Sequence, residues 1–344
     1  FFSFSFFLSF LPFFCLSNYH LLLLLPLFMK FLAAKRSCVT TWSPPGSNVL
    51  ATGTAAGVLD SNFDTSASIE LTPISPTPNT NQLPSPLGTP THSLSSPARL
   101  NTLSWSTNGI LAGGGDGGAV HLWDPAQGRH LSSTPKHTGS VLSLDFHPTA
   151  SRFLASGGAD GQVFVWDMTD TANPPVFAPG SAPAGVPGEV VAVRWNAQVQ
   201  HILGALSSSG TTVIWDLNSK RPVINFGDKS KRGNCRSFAW HPSQATFLVT
   251  ASEDDDHPVL AMWDLRNTFT PMRYLTGHTR GIWDVSWSSL DDNLLLSAGK
   301  DGLTLCWDVG SGSILSKVDQ RASGAWNSSV QWSPSVPGLF VTSS

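Results

Sequence analysis

Three observations predict an all-β chain folded as a seven-bladed β-propeller: Trp-Asp pairs at near-constant intervals, short Val-, Phe-, Leu- and Trp-rich runs between turn residues, and no sustained helical period. The pairs fall at Trp123-Asp124, Trp166-Asp167, Trp215-Asp216, Trp263-Asp264 and Trp307-Asp308, so successive Trp residues lie 43, 49, 48 and 44 apart. That is near the length of a four-stranded propeller blade.

The two clearest copies carry the same polar residues in the same register. His137, Ser156, Asp160 and Trp166 are separated by steps of 19, 4 and 6 residues, and so are His278, Ser297, Asp301 and Trp307. His, Ser and Asp in one segment invite comparison with a hydrolytic triad, but a catalytic constellation has no reason to recur at fixed spacing, whereas a building unit does. The hydroxyl is also expected to face an indole inside a blade, with neither cleft nor oxyanion hole beside it. The chemistry instead suits a structural chain. The Trp N–H donates to the Ser hydroxyl, the hydroxyl bonds His, and His bonds the turn Asp, so that no buried polar group is left unpaired. No catalytic, cofactor-binding or metal-ligating residue is expected.

Each blade is legible to a different degree. In the third, Val141 to Phe146, Arg152 to Ala155 and Gln162 to Trp166 read as strands bounded by Gly, Asp, Pro or Ser. The second, from about Arg99 to Asp124, contains "GGGDGG" at 113–118; no Gly-Lys-Ser follows and "AVHLWD" continues as a strand, so Asp116 is expected in a turn and not in a phosphate cradle. The fourth lacks both the His and the turn Asp, which predicts an incomplete network. In the fifth, Asp254, Asp255 and Asp256 lengthen the turn and are expected to be solvated, with a contact surface as the alternative. The Pro-, Ser- and Thr-rich stretch 72–98 is expected to be a disordered insert carrying Ser-Pro and Thr-Pro steps open to phosphorylation. From about residue 325 the last blade runs into only two strands; the blade is therefore expected to be incomplete, and a chain extended beyond residue 344 to be more stable.

Composition is consistent with this plan. Charged residues make up 12%, the net charge is −3, and there are 30 Gly, 25 Pro and 13 Trp, as suits buried strands joined by turns and unlike a nucleic-acid coat. The basic cluster Lys229, Lys231, Arg232 and Arg236 is expected to form a solvated loop and not a phosphate track, with a docking role as the alternative. Cys15, Cys38, Cys235 and Cys306 lie far apart with no C-x-x-C, which indicates neither a zinc site nor a disulfide framework and fits a reducing cytosol. The sequon at Asn327 carries no weight in such a region. Residues 1–28 are apolar and almost wholly Phe, Leu, Ser and Pro, the residues of all-pyrimidine codons, with neither an initiating Met nor a cationic n-region. They are expected to be translated leader or intron sequence, with Met29 as the authentic start and 29–344 as the propeller. The alternative for 1–28 is a membrane anchor.

The "GH … WD" units resemble WD-repeat blades. More specifically, "WHPSQATFLVTASEDDDHPVLAMWDLRNTFTPMRYLTGHTRGIWDVSW" (240–287), the following "LLLSAGKDGLTLCWD", and "MKFLAAKRSCVTTWSPPGSNVLATGTAAGVLDSNFDTSASIEL" (29–71) resemble the amino-terminal propeller of the larger COPII outer-coat subunit, the Sec-thirty-one family. The resemblance implies a structural, non-enzymatic scaffold at cage vertices on vesicles budding from the endoplasmic reticulum. It implies a cytoplasmic, peripheral location at exit sites, no cofactor, no nucleic acid, and partners among coat subunits. These are like propellers at vertices, and the smaller propeller partner and the inner coat through regions that follow the propeller. It also implies that a segment such as "MKFLAA" can lend the last blade an outer strand. The competing reading is an adaptor propeller recruiting substrates, as in ubiquitin ligation; a hydrolytic propeller would need a cluster of acidic or His residues at the channel, and none stands out.

Overall fold

The computed structural model describes residues 6–10, 31–34, 38–56, 67–74, 90–179, 188–227, 234–320 and 327–343. Among the described residues there are seven four-stranded antiparallel sheets and no helix. Six are consecutive meanders, at 38–96, 100–135, 141–177, 190–226, 235–276 and 282–319, as alternating strands joined by tight turns dictate. Their innermost strands, Cys38–Trp42, Leu100–Trp105, Val141–Phe146, Val190–Trp195, Cys235–Trp240 and Ile282–Trp287, pack side by side, and Ser329–Trp332 joins the last to the first. This closes the wheel, a β-propeller.

The core lies between sheets. Trp123, Trp166, Trp263 and Trp307, all at most 1% exposed, fill the layers together with Leu, Ile, Val and Phe from neighbouring blades. The repeated Trp therefore serves packing first.

The closing blade takes two strands from its own repeat, Ser329–Trp332 and Leu339–Ser343. The sheet is nevertheless four-stranded, because Phe6–Phe10 pairs with Leu339–Ser343 and Phe31–Ala34 pairs with Phe6–Phe10 on the outside. Phe31–Ala34 of "MKFLAA" is thus the outermost strand, and Phe6–Phe10, which precedes the expected boundary at residue 29, lies between it and Leu339–Ser343. The rest of 1–28 lies outside the described residues. The expectation of a disordered insert over 72–98 also needs correction at its ends. Ala67–Pro73 is a strand running into the insert and His92–Ser96 is the fourth strand of the first blade, paired from Ala67↔Ser96 to Leu71↔His92; 75–89 lie outside the described residues. Polar composition did not prevent pairing there, since an outer strand needs only backbone groups and one buried side chain, here Leu94.

Candidate functional site

In the third and sixth blades the predicted residues meet. Trp166 Nε1 donates to Ser156 Oγ at 2.8 Å, Ser156 Oγ lies 2.8 Å from His137 Nε2, and His137 Nδ1 lies 3.0 Å from Asp160 Oδ1. The sixth blade repeats this. Trp307 Nε1 to Ser297 Oγ is 2.8 Å, Ser297 Oγ to His278 Nε2 is 2.7 Å, and His278 Nδ1 to Asp301 is 3.1 Å. The only donor order that satisfies every group runs from indole N–H to hydroxyl oxygen, from hydroxyl to Nε2, and from Nδ1–H to carboxylate. It requires a neutral imidazole. Burial lowers the pKa of His137 against the opposing pull of Asp160, which agrees. Burial by itself would raise the carboxyls of Asp160 and Asp301; hydrogen bonds from the His and from backbone N–H groups, Thr138 and Gln162 in one blade and Thr279 and Leu303 in the other, outweigh it and hold both below the usual value. Ser156 and Ser297 are both 0% exposed, so each hydroxyl is enclosed between an indole and an imidazole.

A glycine makes room for the pair. A Cβ at Gly158 would lie 2.5 Å from His137 Nδ1, and one at Gly299 would lie 2.6 Å from both His278 Nδ1 and Asp301 Oδ1. The sequence carried this signal, a Gly two residues after the Ser in both copies.

The remaining blades solve the indole's need differently. Thr250 Oγ1 accepts from Trp263 Nε1 at 3.0 Å, and the Ser95 carbonyl of the preceding blade accepts from Trp123 at 3.1 Å, because Gly113 stands where the hydroxyl would be. Asp116 lies in the turn after Leu111–Gly115, as expected. In the fourth blade Ala205 stands ten residues before Trp215, and among the described residues the buried Trp215 Nε1 has no hydrogen-bond partner. The incomplete network anticipated there is present.

A second, larger system escaped the sequence reading. Polar side chains on one inner strand accept hydrogen bonds from backbone N–H groups of the next. Thr102 and Ser104 accept from Leu144 and Phe146, Ser143 and Asp145 from Val193 and Trp195, and Asp284 and Ser286 from Val330 and Trp332, at 2.7–3.3 Å. Inner strands expose a row of amides toward the neighbouring blade, and these side chains satisfy it. Asp284 reaches furthest. It accepts from Ser237 Oγ (2.7 Å) in the fifth blade and its own Val285 N–H (2.9 Å), and from Ser329 Oγ and Val330 N–H (both 3.0 Å) in the seventh. Three of the indoles that end inner strands add cross-blade bonds: Trp195 Nε1 donates to the Asp145 carbonyl, Trp240 to the Arg194 carbonyl, and Trp42 to the Gln331 carbonyl across the closure. The available signal was an aromatic residue ending every inner run, Trp42, Trp105, Phe146, Trp195, Trp240, Trp287 and Trp332, with polar residues one and three positions earlier in the four runs that end at Trp105, Phe146, Trp287 and Trp332.

The acidic loop of the fifth blade is not simply a solvated turn. Asp255 accepts from the Gly281 N–H at 2.8 Å and pairs with Arg280 at 3.0 Å, and Lys300 lies 3.6 Å from Glu253, so the loop ties its blade to the next. Within the basic cluster, Lys229, Lys231 and Arg232 lie outside the described residues, whereas Arg236 stacks its guanidinium 4.8 Å from the Trp283 ring. Asn327 is fully buried and donates to Thr304 Oγ1 at 3.0 Å.

All seven inner strands line an axial cavity of about 1090 Å³. Asp145 and Arg194 face it, and burial pushes the Asp145 carboxyl up to about 6 despite Arg194 and the Trp195 amide. Among the described residues no group of three or more His, Cys, Asp or Glu could hold a metal ion.

Residues 128–167 and 269–308 match the family described as WD domain, G-beta repeat. Over its length the chain is similar to the protein transport protein SEC31 of Dictyostelium discoideum, 37% identical over 360 residues, with 92% of this chain and 26% of the relative covered. It is similar also to Sec31B of Mus musculus, 37% identical over 91% of this chain and 28% of the relative, and to Sec31A of Homo sapiens, 35% identical over 92% and 26%. The chain thus spans about a quarter of the length of these relatives. Among solved structures, a chain from "COPII on membranes, outer coat vertex" superposes with a TM-score of 0.76 at 29% identity, covering 90% of this chain and 85% of that one. Four-stranded radial blades, two copies of the Trp-Ser-His-Asp network and these likenesses lead to one conclusion: the chain is a WD-repeat β-propeller of the SEC31 family.

Proposed function

We propose that this propeller is a structural module of the COPII outer coat and acts as a rigid joint at cage vertices in transport from the endoplasmic reticulum to the Golgi. The observation that carries the reading is the superposition on an outer-coat-vertex chain over 90% of this chain and 85% of that one. The physical basis is stiffness. Amide-to-side-chain bonds between inner strands make neighbouring blades one body, so a load applied at one rim is transmitted to the others. The role is non-enzymatic. The protein works on the cytoplasmic side, held to membranes peripherally by the coat, at endoplasmic-reticulum exit sites; its partners are like propellers, the smaller outer-coat propeller and, through regions beyond the propeller, the inner coat.

The test is localisation of the tagged full-length protein together with recovery of its partners. Punctate staining at exit sites with co-purified coat subunits is the expected result. Diffuse or nuclear staining, or co-purification with a ubiquitin ligase in place of coat subunits, would overturn the reading in favour of an adaptor.

A further inference from the structure

Two imidazoles outside the Trp-Ser-His-Asp networks meet on the second blade. In the third to sixth blades the residue two positions before the Trp of the Trp-Asp pair is apolar, Phe164, Val213, Ala261 and Leu305; in the second it is His121. His121 is 6% exposed, so an imidazole occupies a slot that its counterparts fill with apolar side chains, and it needs a polar partner there. The outer strand Arg129–Pro135 supplies one. Ser133 lies directly opposite His121, and His130 opposite Trp123, so all four side chains share one face of the sheet.

The two rings converge on one oxygen. Ser133 Oγ lies 2.6 Å from His121 Nδ1 and 3.0 Å from His130 Nε2. The imidazole centroids are 6.1 Å apart, and the Trp123 ring, 5.9 Å from one and 5.6 Å from the other, walls the group on its apolar side. A hydroxyl brings one proton to these two nitrogens, so one ring donates to the oxygen while the other accepts from it. Burial, and then His130, lowers the His121 pKa; burial lowers that of His130 against a backbone hydrogen bond to Ser132. Near neutral pH both rings are therefore uncharged, the form in which imidazole ligates a metal.

Two imidazole nitrogens and an oxygen gathered around one point make a donor set suited to a borderline-soft divalent ion, and unsuited to magnesium or calcium. Two imidazoles on one tetrahedral zinc ion, with Zn–N about 2 Å, place their ring centroids about 5 Å apart. Closing from 6.1 Å takes a shift of about 1 Å, which His130, on the exposed side of the group, supplies by rotation.

We propose that His121 Nδ1 and His130 Nε2 bind a divalent transition-metal ion of the zinc class, with Ser133 Oγ and water completing its coordination, and that the ion clamps the outer strand of the second blade to Ala119–Asp124. None of the three residues lines the axial cavity, and the proposal is independent of the coat reading.

The experiment is isothermal titration calorimetry of the whole chain with Zn²⁺ alone, with Mg²⁺ as the hard-ion control. Zinc is expected to show a saturable component of one ion per chain and to raise the thermal midpoint, and Mg²⁺ to do neither. His130→Ala, on the exposed strand, should fold like the parent and weaken that component by at least about tenfold, as should His121→Gln. His257→Ala, in the acidic loop of the fifth blade and 58% exposed, should leave it unchanged. If His121→Gln does not fold, His130→Ala decides by itself. Absence of saturable zinc binding up to about 1 mM, equal binding of Mg²⁺, a folded His130→Ala that binds like the parent, or a component lost in His257→Ala would each overturn the proposal.

Discussion

Replacing Ser297 by Ala removes a single oxygen atom, yet two buried groups depend on it. Trp307 Nε1 donates to that oxygen at 2.8 Å, and His278 Nε2 sits 2.7 Å away as acceptor of its proton. Ser297 is 0%, Trp307 1% and His278 7% exposed, so no solvent replaces the lost partner. A buried donor or acceptor left unpaired costs about 1–3 kcal/mol, so two of them predict a loss of about 2–5 kcal/mol. The assay is equilibrium unfolding in urea near pH 7, read as a shift of midpoint at constant slope. A shift below about 0.5 kcal/mol would refute the reasoning, because it would mean that the hydroxyl does not satisfy the two groups in the folded state.

The reciprocal change, Ala205→Ser, places a hydroxyl ten residues before the unpartnered indole of Trp215 and should raise stability by about 1 kcal/mol in the same assay; a loss would show that the fourth blade cannot align the pair. Asp284→Ala severs bonds among three successive inner strands and should cost about 2–4 kcal/mol, with Asp284→Asn recovering part of it; unchanged unfolding would remove Asp284 from the stitch. Asp145 titrates at about 6, above the ordinary 3.8, so the folded state holds its proton more tightly and ionisation at higher pH costs stability. Asp145→Asn should therefore stabilise by about 1–3 kcal/mol at pH 8, toward the low end since the channel admits solvent, and the gain should shrink as pH falls through about 6; a gain that does not vary with pH contradicts this. His137, Asp160 and Asp301 act in the opposite sense. His137 has a lowered pKa, so its contribution is lost as pH falls below 6.5, and the lowered carboxyl values of Asp160 and Asp301 make theirs present above 3.8 and lost below it. In the Asp145→Asn background, which removes the opposing titration, the unfolding midpoint should decline as pH falls below 6.5 and again below 3.8, and a flat profile there would show that these groups are not coupled to folding.

Periodicity alone was sufficient to identify the wheel and the His-Ser-Asp-Trp residues, because a local unit that must satisfy the same indole in the same way repeats the same residues at the same spacing. The incomplete network of the fourth blade was legible for that reason too, from its missing His and turn Asp. What lies between blades was not legible. Ser143, Asp145 and Asp284 bond amides 46 to 50 residues away, and a single polar residue in an alternating strand looks the same whether it meets solvent or a neighbouring strand. The same holds for Asp255, which reads as one of three acidic turn residues until the turn is seen against Gly281 and Arg280.

The amino-acid sequence thus determined by itself the blade, its length, its turns and its internal network, all of which depend on contacts within some forty neighbouring residues. Only the tertiary structure decided how the blades are joined, which residues turn into the channel, and how Phe6–Phe10 and Phe31–Ala34 complete the last sheet. Those outcomes depend on strand edges meeting across the whole chain, and an open edge specifies that it must be paired without specifying by what.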